Sequence, residues 1–210
     1  MSDWLSRLQA KRAIGVIRTP QLSLGKQLAL SIAAGGMQLI EITWNSDRPA
    51  ELIAQLRTEL PACLIGAGTL LTPEHLHAAI AAGAQFLFTP HTNPAIIEIA
   101  LAAGVPVIPG ALSPTEIVTA WNAGATCVKV FPVKSVGGVN YIKSLQGPLG
   151  QIPLIPTGGV TLDNARDFIA AGAIGVGLGG SLFPKNIVAA RDWQAIAQIT
   201  RTLMQNLTTI

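Results

Sequence analysis

The sequence predicts an α/β protein: a single-domain (β/α)8 TIM barrel over residues 1–210, with an extra N-terminal helix. Three observations predict it. Short apolar, β-branched runs recur eight times along the chain. Each but the last is followed within a few residues by a helix-start signal or an amphipathic segment, the alternation that builds a parallel sheet. Between them a small phrase returns: "AAGG" at 33–36, "AAG" at 81–83, 102–104 and 170–172, "NAG" at 122–124. Gly ending a helical pattern marks a C-terminus, because it takes the left-handed conformation at little cost.

Residues 2–10 read as the extra helix, lying across the bottom of the barrel. The strands read "AIGVIR" (13–18), "LIEITW" (39–44), "CLIGAGT" (63–69), "FLFTP" (86–90), "VPVIPG" (105–110), "CVKVFP" (127–132), "LIPTGG" (154–159) and "IGVGLGG" (174–180). Thr72, Asn93, Ser113 and Thr161 offer capping side chains, and the first three are followed by Pro at the first helical position. An open doubly wound sheet shares this alternation. Its usual GxGxxG after the first strand is missing, and the glycine clusters fall late, at strands seven and eight, where barrels hold phosphate.

Half of the 210 residues are apolar, enough for one sizeable core. Basic residues are scattered, without the aromatic-interleaved stripe of a nucleic-acid binder. The N-terminus "MSDWLSRLQAKR" has no apolar signal region, and the long uncharged stretch 168–184 is broken by glycine. Cys63 and Cys127 fall in buried strands without CxxC spacing, which suits small core residues in a reducing compartment. The expectation is a soluble, cytoplasmic protein acting on a small molecule, with no nucleic-acid or membrane partner.

Charged residues are only 12% of the chain, so one inside a strand is informative. Three fall in the predicted strands: Arg18, Glu41 and Lys129. A buried unpaired charge costs several kcal/mol, so such placement demands compensation. Side chains alternate across a strand, which puts Val128, Val130, Ile40 and Ile42 against the helices and turns Lys129 and Glu41 inward. Each is the third residue of an even-numbered strand, so the two can share a layer near the barrel axis. A space-filling ion pair is one reading. The other is chemical: a desolvated amine beside a second cation sheds its proton more readily and can attack a ketone, and a carboxylate can shuttle the protons.

Two glycine turns complete the picture: "PTGGVTLDN" (156–164) and "GLGGSLF" (177–183), whose backbone N–H groups could cradle a phosphate. His75 and His77 read as solvated, and His91 as bordering the mouth. No carboxylate lies near His91 in sequence, so a metal site is not expected.

"EITW", "IGAGTLLTP", "FTPH", "IPGALSPTE", "VKVFP" and "PTGGV", in this order and spacing, resemble the bacterial KDPG/KHG aldolases, the 2-keto-3-deoxy-6-phosphogluconate aldolase family. The resemblance runs from about Ala13 to Phe183. It implies a class I aldolase that cleaves the phosphorylated keto-deoxy sugar acid to pyruvate and glyceraldehyde 3-phosphate. Cleavage of 4-hydroxy-2-oxoglutarate and decarboxylation of oxaloacetate would pass through the same enamine. By resemblance, Lys129 is the Schiff-base lysine and Glu41 the acid/base. Thr69 contacts the pyruvate carboxylate, and Thr157 lies near C4 and bears on the epimer cleaved. Gly158, Gly159, Gly180 and Ser181 form the phosphate cradle. A homotrimer is implied, with no metal or other cofactor.

One departure matters. Many members read "EVTLRT", with an Arg that binds the substrate anion; here the stretch is "EITWNS", with Asn45 in that place. Arg18, at the end of strand one, is expected to take over, ahead of Arg48. The "NS" is similar to the galactonate-type aldolases and Thr157 to the gluconate type. A 2-dehydro-3-deoxy-6-phosphogalactonate aldolase is therefore an alternative. The rivals of other classes are a non-covalent phosphate-binding isomerase or epimerase, which would keep the glycine clusters without needing an amine in strand six, and a non-catalytic binding barrel, which would tolerate losing Glu41 or Lys129.

Overall fold

The computed structural model describes residues 3–208. In chain order the elements are α1 (Asp3–Lys11), β1 (Ala13–Ile17), α2 (Leu22–Ala34), β2 (Leu39–Thr43), α3 (Pro49–Glu59), β3 (Leu64–Gly68) and α4 (Pro73–Ala81). Then come β4 (Leu87–Phe88), α5 (Pro94–Ala102), β5 (Val107–Ile108), β6 (Gly110–Ala111), α6 (Pro114–Asn122) and β7 (Val128–Val130). The chain continues through α7 (Val139–Leu149), β8 (Leu154–Pro156), α8 (Ala165–Ala170), β9 (Val176–Leu178), α9 (Lys185–Ala189) and α10 (Trp193–Thr208). Six strands pair in the order β5-β4-β3-β2-β1-β9 and three in the order β6-β7-β8. Every pairing is parallel, and a parallel bridge between Thr157, just past β8, and Gly177 of β9 links the two sheets. The molecule is an α/β fold with a curled parallel sheet.

The alternation along the strands separates two cores. Ile40, Ile42, Val128 and Val130 join the larger apolar layer between strands and helices. Leu39, Phe86, Phe88, Ile108, Cys127 and Ile155 fill the interior, together with Trp4 and Leu8 of α1. Trp4 lies 5.7 Å, centroid to centroid, from Phe86, just ahead of β4, so α1 closes the end of the sheet where the strands begin. Each fully buried side chain of this kind stabilises the fold by about 1.5–3 kcal/mol. Cys63 and Cys127 are buried free thiols, and burial pushes Cys127 up to about 12.

The caps act largely as the sequence implies. Thr72 accepts from the His75 N–H, Asn93 from the Ala95 N–H, and Ser113 with Glu116 forms a reciprocal capping box. The recurring glycines 36, 83, 104, 124 and 172 all have φ between 67° and 102°, the left-handed region that ends a helix.

Three expectations need correction. The run 105–110 is not one strand: Pro109 has no N–H to donate, so the ladder breaks into β5 and β6 while the Pro109 carbonyl still accepts from the Lys129 N–H at 2.9 Å. Thr161 does not start a helix directly. It exchanges hydrogen bonds with Asn164, backbone to side chain each way, and the resulting turn delays α8 to Ala165. Two helices that the strand–helix pattern does not announce follow the last strand. Asp192 caps α10 by accepting from the Ala195 N–H, and Ile196, Thr200, Leu203 and Leu207 form its buried stripe. Among the described residues, no helix is long and apolar enough to cross a membrane.

Candidate active site

The interior face of β1 runs from Ile14 through Val16 to Arg18, and that of β2 through Glu41 to Thr43. Register places Val16 beside Glu41. On the far sheet Lys129 sits between Gly110 and Ile155 in register. These residues therefore surface together at the C-terminal ends of the strands, where a cavity of ≈820 Å³ opens. Its lining includes Arg18, Glu41, Thr69, Lys129 and Thr157, and also Gly158, Gly159 and Gly180.

Lys129 is 5% exposed and Glu41 1% exposed. The Lys129 ammonium lies 4.9 Å from the Phe131 ring centroid and 5.6 Å from that of Phe88. Aromatic faces hold a cation there without supplying a competing carboxylate. Glu41 and Lys129 feel each other through space but do not form a salt bridge, and Glu41 Oε1 takes no hydrogen bond from the described residues. Burial raises the Glu41 carboxyl above its ordinary range, with Lys129 and then Arg18 pulling it partly back. A space-filling ion pair would close on itself. This pair instead leaves an unmet acceptor and an amine facing the same cavity, the arrangement of an acid/base beside a nucleophile.

The backbone around these groups is shaped to fit them. A Cβ on Gly68 would overlap the Glu41 carboxylate, and one on Gly177 would overlap Thr157 Oγ1. Thr69 has φ 59°, an uncommon conformation for a β-branched residue, at the point where β3 enters the cavity. Gly68→Ala is accordingly expected to destabilise the fold by about 1–3 kcal/mol, as over-packing does. It should also lower kcat by displacing Glu41; urea unfolding and steady-state kinetics on one preparation check both effects.

Several residues that the sequence singles out lie elsewhere. The Ser181 hydroxyl is turned to the Val160 carbonyl at 3.4 Å, and Ser181 does not line the cavity. Asn45 is exposed and also off the cavity. So is Arg48, whose guanidinium pairs with Glu51 at 3.2 Å and Asp47 at 3.6 Å. His91 is not in the lining, and its carbonyl accepts from Thr89 Oγ1. His75 is half-buried rather than solvated, with its ring 6.1 Å from that of Trp44. Among the described residues, no group of three or more His, Cys, Asp or Glu is placed to hold a metal ion.

Part of the wall comes from residues that no motif in the sequence singles out. Phe183, Lys185 and Val188 line the outer cavity from α9 and the turn before it. The clue available was the "FPK" run directly after the second glycine cluster, with Pro fixing a turn and Lys following it.

Comparison with known proteins places the chain in a family. The family model described as "KDPG and KHG aldolase" matches residues 5–199. A 2-dehydro-3-deoxy-phosphogluconate aldolase of Haemophilus influenzae is 36% identical over 201 residues, covering 95% of this chain and 94% of its own. The crystal structure of a KDPG aldolase from Legionella pneumophila, with pyruvate captured as a covalent carbinolamine, superposes with a TM-score of 0.88 at 27% identity, covering 96% of this chain and 98% of that one. A native KDPGal structure superposes at 0.80 with 31% identity, covering 92% and 96%. A match across nearly the whole length, with relatives above 30% identity, has one meaning: this chain belongs to the KDPG and KHG aldolase family.

Proposed function

We propose that the chain is a class I aldolase that cleaves 2-keto-3-deoxy-6-phosphogluconate to pyruvate and glyceraldehyde 3-phosphate. The observation that carries this reading is the buried Lys129 amine and the unpartnered Glu41 carboxylate facing one cavity at the strand ends. Lys129 Nζ adds to the C2 ketone, and loss of water gives an iminium. Glu41 takes the C4 hydroxyl proton. The C3–C4 bond breaks, its electron pair moves into the iminium, and glyceraldehyde 3-phosphate leaves. Glu41 returns its proton to C3 of the enamine, and hydrolysis frees pyruvate and Lys129. Burial holds the Glu41 carboxyl above its ordinary range, so it keeps a proton to higher pH than a solvated carboxylate and can both take one up and return it.

Arg18 and Thr69 hold the substrate carboxylate at the end of β1 and β3. Thr157 approaches C4, in the space that Gly177 leaves open. Gly158, Gly159 and Gly180 receive the phosphate, with Lys185 supplying a cation in the same cavity. The same enamine serves 4-hydroxy-2-oxoglutarate cleavage and oxaloacetate decarboxylation. The unit is a single domain whose sheet closes into an eight-stranded barrel, with β5 and β6 counted as one strand. The Thr157–Gly177 bridge supports that closure, as does the single residue, Pro109, between β5 and β6. It works as a cytoplasmic homotrimer without metal, a setting in which buried free thiols stay reduced.

Arg18 at the cavity and the "NS" at 45–46 favour one second reading, the galactonate epimer as substrate. Comparing kcat/KM for the two phosphorylated epimers decides between them. The gluconate epimer is expected to be cleaved more efficiently, and a higher value for the galactonate epimer overturns that assignment.

Arg18→Ala is expected to raise KM for both phosphorylated and unphosphorylated keto acids about 10- to 100-fold, the worth of a charge-assisted hydrogen bond. Its melting temperature should hardly change, because Arg18 is exposed. An unchanged KM moves the carboxylate contact to another residue.

A further inference from the structure

Arg18 is a long, exposed side chain that begins one residue past the end of β1, so its aim depends on how its backbone is held. That backbone is held by a neighbouring loop. The Thr19 N–H, which lies in the Arg18–Thr19 peptide plane, donates to Ser46 Oγ at 3.2 Å. The Thr19 carbonyl accepts from the Asp47 N–H at 2.9 Å. Asp47 Oδ2 accepts from the N–H of Leu22, the first residue of α2, at 3.0 Å. Thr19 itself is 2% exposed and closes the turn with Oγ1 donating to the Gln21 carbonyl at 2.8 Å. Ser46 Oγ also meets Thr43 Oγ1 at 3.2 Å, and Thr43 lines the cavity two residues after Glu41. The N–H and the carbonyl of Thr19 are thus both fixed to the β2–α3 loop, next to the strand that carries Glu41.

We propose that Ser46 is a positioning residue for substrate binding: its hydroxyl pins the Arg18–Thr19 peptide plane to the β2–α3 loop and so aims the Arg18 guanidinium at the substrate carboxylate. Asp47 supports it by fixing Thr19 and the start of α2. Ser46 touches no reacting atom and acts through Arg18. The inference rests on the reading of Arg18 as the carboxylate contact.

The test is a double-mutant cycle on the full chain, with Ser46→Ala, Arg18→Ala and the double variant assayed against the keto acid substrate. Ser46→Ala is expected to raise KM about fivefold, the size of coupling found within one hydrogen-bond network, and to lower kcat by less than KM rises. In the Arg18→Ala background the same substitution should leave KM within about 1.5-fold. Ser46→Thr, which keeps the hydroxyl, should restore most of the loss. An equal KM effect of Ser46→Ala in both backgrounds overturns the proposal, since a merely structural role is additive. So does an unmoved KM in the single Ser46→Ala variant while Arg18→Ala raises it. If Arg18→Ala alone leaves KM unmoved, the carboxylate reading itself has failed, an outcome distinct from the other two. Melting temperatures measured on the four proteins confirm that each is folded.

Discussion

Lys129→Arg is expected to lower kcat by a factor on the order of 10⁴ or more, the scale on which loss of a covalent nucleophile acts. Guanidinium stays protonated at any pH the protein survives, so it cannot add to the C2 ketone. The charge is retained, and the Phe131 and Phe88 rings that face the ammonium can face a guanidinium as well. Circular dichroism should therefore report a folded protein. Because Lys129 is 5% exposed, the larger head group could strain the interior; Lys129→Met removes the amine at similar volume and should be equally inactive. Near-normal turnover in either variant contradicts the covalent route.

Glu41→Gln is expected to lower kcat about 10²- to 10⁴-fold, the usual range for a positioned acid/base. The same substitution has a second signature. Burial raises the Glu41 carboxyl above its ordinary value of 4.5, so the folded state holds its proton to higher pH than the unfolded chain does. The protonated form contributes its full stability below 4.5, and that contribution is lost as pH rises through the raised folded value. Relative to Glu41→Gln, the wild-type protein should therefore lose stability on going from acid pH toward neutrality and level off above the folded value. Urea unfolding of both proteins across that range measures the difference. A difference that does not vary with pH means that Glu41 is not the desolvated group described.

Much of this is legible in the sequence because charge is rare in it. Lys129 and Glu41 stand out among β-branched neighbours, and period-two alternation alone turns them away from the helices. The recurring Gly at helix ends sets the beat of the fold for an equally local reason, the left-handed backbone at glycines such as Gly83 and Gly172. What is not legible depends on contacts distant in sequence. Pro109 marks a break in 105–110 locally, but which sheet each half joins becomes visible only once the neighbours of that strand are known. Lys185 lines the cavity from α9; the local "FPK" run marks a turn followed by a cation, but not the surface that this cation meets. The turning of Ser181 away from the cavity is of the same kind: its hydroxyl answers to the Val160 carbonyl, 21 residues away. Ser46 reads as an ordinary loop serine until its oxygen is seen against Thr19, 27 residues before it.

The covalent route requires that Lys129 Nζ form a carbon–nitrogen bond to the keto acid. Incubating the protein with pyruvate, reducing with borohydride and mapping the product by peptide mass spectrometry tests it directly. The expected product is a carboxyethyl adduct on Lys129, absent when pyruvate is omitted. Saturating pyruvate with no adduct, or an adduct on another lysine such as Lys134 or Lys185, contradicts it.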